Sequence, residues 1–185
     1  MNEKKFTKRN AFVNEIIEYI ESIFTLMIIV MLAFTFLVRT SQVNGSSMYP
    51  TLEDGDQLLI SKLFYEPKQG DIVVVTHPNM PEDEPALIKR VIALEGQTVD
   101  IDFEKGLVFV DGEVLEEDYI AEPTYNQIDF EGPITVPKGE VFVLGDNRNN
   151  SADSRDDRYG TFDKDYILGR CITRVVPFDK FGKVE

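Results

Sequence analysis

The sequence predicts a mostly β fold: antiparallel sheets forming a partly closed, barrel-like body, preceded by one N-terminal transmembrane helix. Three observations carry that expectation. Short runs rich in β-branched and aromatic residues recur between residues 56 and 146, separated mostly by Gly, Pro, Asp or Asn. An Asp111-Gly112 pair lies between two such runs, which is a two-residue hairpin signal. One stretch, Ile23 to Val38, is uncharged and has no strand-like punctuation.

The N-terminal elements come first. Residues 1–18 read as a basic cytoplasmic terminus, with Lys4, Lys5, Lys8 and Arg9 clustered near the start. IFTLMIIVMLAFTFLV follows at 23–38, with Thr25 and Thr35 its only polar side chains. As a helix this run rises about 24 Å, short of a hydrocarbon core of roughly 30 Å. Extending it back to Tyr19 reaches about 30 Å and leaves Glu21 near the interface. Residues 19–38 are therefore expected to be a membrane anchor in contact with lipid. Only Arg39 follows closely, so the positive-inside rule places the N-terminus in the cytoplasm. Residues 39–185 then form an extracytoplasmic body on a single-pass protein of the cell membrane. Two alternatives compete. A cleaved signal peptide needs an A-x-A-like site, which RTSQVNGSS matches poorly. A buried core helix sits badly with the β-signals that fill the rest of the chain.

The body's strands are expected at 56–65, 71–76, 86–94, 98–102, 107–115 and 140–146, with the Asp111-Gly112 hairpin inside the fifth. PNMPEDEP at 78–85 reads as an acidic surface loop, and 116–137 as a long irregular excursion with one or two strands. CITRVV is a further β-like run, with Cys171 expected in the core.

Charge and cysteine content exclude several functions. The chain has 185 residues and a net charge of −14, with one His and one Cys. Residues 1–39 hold five basic and four acidic groups, leaving 14 basic and 29 acidic residues in 40–185, a net of −15. Such a body is unsuited to nucleic acid, whose phosphates need a basic surface. It is also repelled by anionic lipid, so an anchor rather than surface charge has to hold it at a membrane. One His and one Cys cannot build a four-ligand structural zinc site, and one Cys cannot form an intrachain disulfide. No metal and no cofactor is expected.

Three segments carry candidate chemistry. Asn44-Gly45-Ser46-Ser47-Met48-Tyr49-Pro50-Thr51-Leu52 surrounds a serine with turn formers, a pattern that also suits a plain linker. In the run 87–94, strand alternation puts Lys89 with Leu87, Val91 and Ala93, and Arg90 with Ile88, Ile92 and Leu94. One cation therefore faces apolar neighbours, where a lysine loses its charge more readily and can serve as a general base. The residues alone favour a simpler reading, with both cations at an edge or snorkelling to water. Leu144 to Arg155 is dense in hydrogen-bonding side chains, as an ordinary polar loop is, and as the orienting of an amine requires.

In order along the chain, an apolar anchor, G-S-S-M-Y-P-T-L, G-D-I-V-V-V, I-K-R-V-I and G-D-N-R-N-N-S-A-D-S-R closely resemble the type I signal peptidases. These are membrane-anchored serine proteases that remove signal peptides from exported preproteins. The resemblance extends to Ile167-Leu168-Gly169-Arg170, and the single anchor with a compact body looks like the Gram-positive form. It implies Ser47 as nucleophile and Lys89 as general base. It further implies that Ser151 orients the lysine, that Asp153 and Arg155 brace the active-site loops, and that Asp146 and Arg148 give support. The expected substrates are secretory preproteins with small residues at −3 and −1.

A Ser-Lys dyad is chemically sufficient, because a neutral amine can take the serine proton and return it to the leaving amine. His77, at the end of DIVVVT, is then expected to be a strand-end surface residue. Two departures from the family pattern stand out. Gly45 occupies the position where some members supply a serine hydroxyl to the oxyanion, leaving a backbone N–H as the candidate second donor. Ala93-Leu94-Glu95-Gly96-Gln97 lacks the family's proline, which bears on the turn and not on the dyad. Two other readings remain in view. One is a non-catalytic relative acting in assembly or as a chaperone, for instance in pilus biogenesis, although such relatives are expected to lose the nucleophile or base. The other is a self-cleaving repressor-type protease, which would need a DNA-binding head.

Overall fold

The computed structural model describes residues 2–80 and 86–184, with side chains from Val13 to Leu32 in the first helix. Two compact units result, residues 1–38 and 39–185. The first is a single helix, α1 (Asn2–Leu37, 36 residues). Its apolar side chains stand exposed, Ile23 at 61% and Met31 at 71%. Among the described residues no helix is long and apolar enough to cross a membrane. The side chains of residues 33–37, the C-terminal part of the anchor expected at 19–38, lie outside the described ones.

The second unit is β throughout, apart from two short 3₁₀ turns. Its strands are β1 (Arg39–Gln42), β2 (Gln57–Ser61), β3 (Ile72–Val75), β4 (Leu87–Leu94), β5 (Thr98–Asp102) and β6 (Leu107–Val110). There follow β7 (Glu113–Val114), β8 (Ile134–Thr135), β9 (Glu140–Leu144), β10 (Phe162–Asp163) and β11 (Ile167–Val176). A seven-stranded sheet has the order β1-β2-β11-β3-β4-β9-β10 and a four-stranded sheet the order β7-β6-β5-β8. The pairings in both are antiparallel. The large sheet ends at β1 and β10, so both edges stay open among the described residues.

Local chemistry sets several boundaries. The strand expected at 56–65 ends at Ser61, because Lys62–Tyr65 closes a turn in which Tyr65 N–H donates to the Lys62 carbonyl at 3.2 Å. The run at 107–115 is the expected hairpin. Asp111 and Gly112 have φ of +54° and +83°, the paired positive values of a type I′ turn. The excursion holds only the two-residue β8, and Pro81–Pro85 of the acidic loop lie outside the described residues.

Three apolar clusters make the core. One joins β4 and β9 to the small sheet through Ile92, Ala93, Val99, Val108, Phe130 and Phe142. A second gathers Val73, Val75, Leu87, Val91, Val143 and Phe162. The third seats Val43, Met48, Leu52, Leu58, Ile72 and Ile88, with Cys171 half-buried against it rather than within it. The alternation expected along β4 breaks at an irregularity between Val91 and Ala93, so Ile92 and Ala93 join one cluster. Seven of its eight residues are buried, because β3 and β9 flank it on either side.

Candidate active site

The segment after β1 is a turn fixed from beneath by apolar side chains. Val43, Met48 and Leu52 are 3%, 1% and 0% exposed. Between them Tyr49 N–H donates to the Ser46 carbonyl at 3.1 Å and Leu52 N–H to the Met48 carbonyl at 2.9 Å, a single helical turn. Gly45 enters that turn at φ +81°, a conformation that penalises any side chain. Its N–H donates to Asp54 Oδ1 at 2.7 Å, so it is already engaged and is not a free oxyanion donor.

β4 brings Lys89 to this turn. Lys89 Nζ donates to Ser47 Oγ at 2.8 Å and to the Ile88 carbonyl at 2.9 Å, with the residue 1% exposed. Arg90 is also buried, at 3%. The simpler reading, with both cations at an edge or in water, is corrected: β4 is an interior strand. Arg90 compensates its burial with a fork onto Asp146, Nε to Oδ1 at 2.9 Å and Nη2 to Oδ2 at 2.7 Å. Its guanidinium lies 3.9 Å from the centre of the Tyr119 ring. Burial, then the Glu117 carboxylate, pushes the Tyr119 phenol up to about 12, so the ring stays neutral over the cation.

The loop after β9 closes over the turn. Asn147 N–H donates to the Ser47 carbonyl at 3.0 Å, and its side-chain amide to the Ser46 carbonyl at 3.1 Å. Asn150 Nδ2 donates to Ser46 Oγ at 3.0 Å. Arg155 forks onto Asp153 with two 2.9 Å bonds, and Asp153 Oδ2 accepts from Gly145 N–H at 3.0 Å. Arg155 also reaches the Arg148 carbonyl at 2.6 Å and the Asn126 carbonyl at 2.7 Å. Arg148, fully buried, donates to the Gly145 carbonyl, Thr124 Oγ1 and Glu117 Oε1 at 2.8, 3.1 and 2.5 Å.

Ser151 is brought to the site but not into the role expected of it. Its hydroxyl is buried and has no hydrogen-bond partner among the described residues, whereas the lysine amine is bonded to Ser47 and to the Ile88 carbonyl. It packs on Gly145, where an added Cβ would come within 2.2 Å of Ser151 Oγ and 2.5 Å of the Ser47 carbonyl oxygen. His77 is half-buried rather than on the surface. Its ring meets Tyr159 and Phe162 edge-on at 5.8 and 5.7 Å, and its Nδ1 accepts Asn79 N–H. Among the described residues no cluster of His, Cys, Asp or Glu could hold a metal ion.

Sequence reasoning missed Glu117, Thr124 and Arg174. Glu117 had no distinguishing signal, because it sits in the run Glu116-Glu117-Asp118. A groove of about 720 Å³ runs along Ser47 and Lys89, lined in part by Thr40, Gln42, Gly45, Met48 and Leu87. One of its walls is β1, the outermost strand of the large sheet.

A serine, a buried amine and an open groove beside an edge strand describe a serine peptidase. More particularly, the chain belongs to the signal peptidase family: the family described as "Signal peptidase, peptidase S26" matches residues 16–176. "Probable signal peptidase I-1" of Synechocystis sp. is 38% identical over 175 residues, covering 89% of this chain and 86% of that protein. "Signal peptidase I P" of Bacillus subtilis subsp. natto is 37% identical, covering 95% of this chain and 97% of that one. A crystal structure of a signal peptidase I from Enterococcus faecalis is 29% identical, covering 57% of this chain and 97% of that one, with a TM-score of 0.46. The protein is a hydrolase that cleaves signal peptides.

Proposed function

We propose that Ser47 is the nucleophile and Lys89 the general base of this peptidase. The observation that carries the reading is the 2.8 Å contact between Lys89 Nζ and Ser47 Oγ, made by a lysine that is 1% exposed. Burial favours the neutral amine, the form able to accept a proton. Ser47 Oγ attacks the scissile carbonyl while Lys89 takes its proton. The amine returns that proton to the departing N-terminus of the mature protein, leaving an ester on Ser47. Lys89 then activates the water that hydrolyses the ester. The Ser47 N–H is the first oxyanion donor, and because Gly45 N–H is held by Asp54, the second comes from another group.

The substrates are secretory preproteins with small residues at −3 and −1, bound extended in the groove beside β1. The outer edge of that strand offers backbone groups for pairing, which supports this binding mode. Residues 19–38 anchor the protein as a single pass, with residues 1–18 in the cytoplasm and 39–185 outside. The Lys4–Arg9 cluster and the strongly acidic body support that orientation. The full chain in detergent, offered a peptide with an A-x-A site, is expected to cleave it after the second alanine. Ser47→Ala and Lys89→Ala should each abolish turnover while leaving the melting transition in place. Turnover retained by either variant refutes the assignment.

A further inference from the structure

We infer that Thr51 is the positioning residue that holds the Ser47 turn in register with the Lys89 strand. The inference rests on the reading of Ser47 and Lys89 as the dyad. Thr51 lies four residues after Ser47, within the same turn, which the Leu52 N–H closes onto the Met48 carbonyl. Its Oγ1 donates to Asp146 Oδ2 at 2.5 Å, and its carbonyl accepts from Arg174 Nη2 at 3.1 Å.

Each of those partners is tied elsewhere. Asp146, 0% exposed, is forked by Arg90, the residue directly after Lys89. A closed ring therefore runs from Ser47 through the turn to Thr51, across Asp146 to Arg90, back along β4 to Lys89, and over 2.8 Å to Ser47 Oγ. The second partner comes from β11. Arg174 Nη1 donates to Asp56 Oδ2 at 2.8 Å. Asp56 Oδ2 also accepts Glu53 N–H at 3.1 Å, and the Asp56 carbonyl accepts Val43 N–H at 2.8 Å. Both flanks of the nucleophile turn, at Val43 and at Thr51, thus refer to one arginine. Met48 and Leu52 fix the depth of the turn by packing, but apolar contacts resist sliding poorly. Directional bonds at Thr51 supply what packing does not, and dyad geometry is sensitive to about half an ångström.

The test uses the full chain in detergent with an A-x-A peptide, comparing Thr51→Val, which keeps shape but loses the donor, with Thr51→Ser, which keeps the donor. Thr51→Val should lower kcat by about 100-fold with KM unchanged, and should slow labelling of Ser47 by a small fluorophosphonate by the same factor. Thr51→Ser should retain most of kcat. Arg174→Lys, which keeps the charge but loses the fork, should show the smaller loss of the same kind. Circular dichroism at the assay temperature keeps the comparison to folded protein. A Thr51→Val enzyme with wild-type kcat and labelling rate overturns the inference, as does a loss in KM alone or an equal loss in Thr51→Ser. Ser47→Ala and Lys89→Ala run alongside. If either stays active the dyad reading itself fails, whereas dead dyad variants beside a fully active Thr51→Val sink only the role of Thr51.

Discussion

Glu117→Ala should be among the most destabilising single substitutions in the body, although it lies in an irregular segment. Arg148 has a side-chain exposure of 0% and Glu117 of 6%, and the two meet at 2.5 Å. Removing the carboxylate leaves the guanidinium with only the Gly145 carbonyl and Thr124 hydroxyl, dipoles that do not balance its charge. Breaking a buried pair on one side costs about 3–5 kcal/mol. For a chain of 185 residues that corresponds to a fall in melting temperature of roughly 6–20 °C. Thermal unfolding by circular dichroism in detergent measures it. Glu117→Gln keeps an acceptor for Nη2 and should cost less. The double variant Glu117→Ala with Arg148→Met should regain part of the loss, because no unbalanced charge is left behind. A loss below about 1 kcal/mol, the scale of an exposed bridge, would refute the reasoning, and so would a double variant no better than the single one.

Two further outcomes are expected. Gly145→Ala forces a Cβ to within 2.2–2.6 Å of Ser151 and the Ser47 carbonyl, and one of those contacts is backbone. It should cost about 1–3 kcal/mol by overpacking and cut turnover by more than its effect on folding, as paired melting and peptide-cleavage measurements would reveal; unimpaired turnover would count against the close apposition of loop and turn. Burial pushes the Cys171 thiol up from the usual 9.0 to about 11. At pH 8 its thiolate fraction should be about 100-fold below that of an unperturbed cysteine, with iodoacetamide labelling rising tenfold per pH unit until about pH 11. A labelling rate that levels off near pH 9 would contradict this.

The strands were legible where local chemistry decides them. Asp111-Gly112 adopts the two positive φ values that its side chains permit, and β5 begins and ends where the run 98–102 predicts. What local chemistry could not supply is a strand's neighbours. Whether Lys89 and Arg90 are wet or buried depends on β4 lying between β3 and β9, and the pairing with β9 spans more than forty residues. The residues alone therefore favoured solvated cations, and only the ordered set of motifs pointed to a buried base. β1, RTSQ, is not among the expected strands, because nothing in four polar residues announces one. It forms one by pairing with β2 through Arg39 to Gln42. Glu117 and Arg174 were invisible for the same reason: each matters through a partner more than thirty residues away.

Those partners explain why an acidic body buries three arginines and half-buries a fourth. Arg90, Arg148, Arg155 and Arg174 each face a carboxylate, from Asp146, Glu117, Asp153 and Asp56 respectively. Such pairs add little net stability, since desolvation consumes most of the attraction, and an apolar replacement can be as stable. Their use here is directional. Asp146 and Asp153 sit on the loop that covers Ser46 and Ser47, and their arginines lie on β4 and within the loop itself. Glu117 holds that loop to the excursion, and Asp56 ties the Ser47 turn to β11. A fork on a carboxylate has one favourable register, whereas a leucine in a groove has several. The site contains a hydroxyl and an amine 2.8 Å apart, contributed by two segments more than forty residues apart in sequence. Their separation is held by those registers, so substitutions that slide a segment without unfolding it are the ones expected to silence the enzyme.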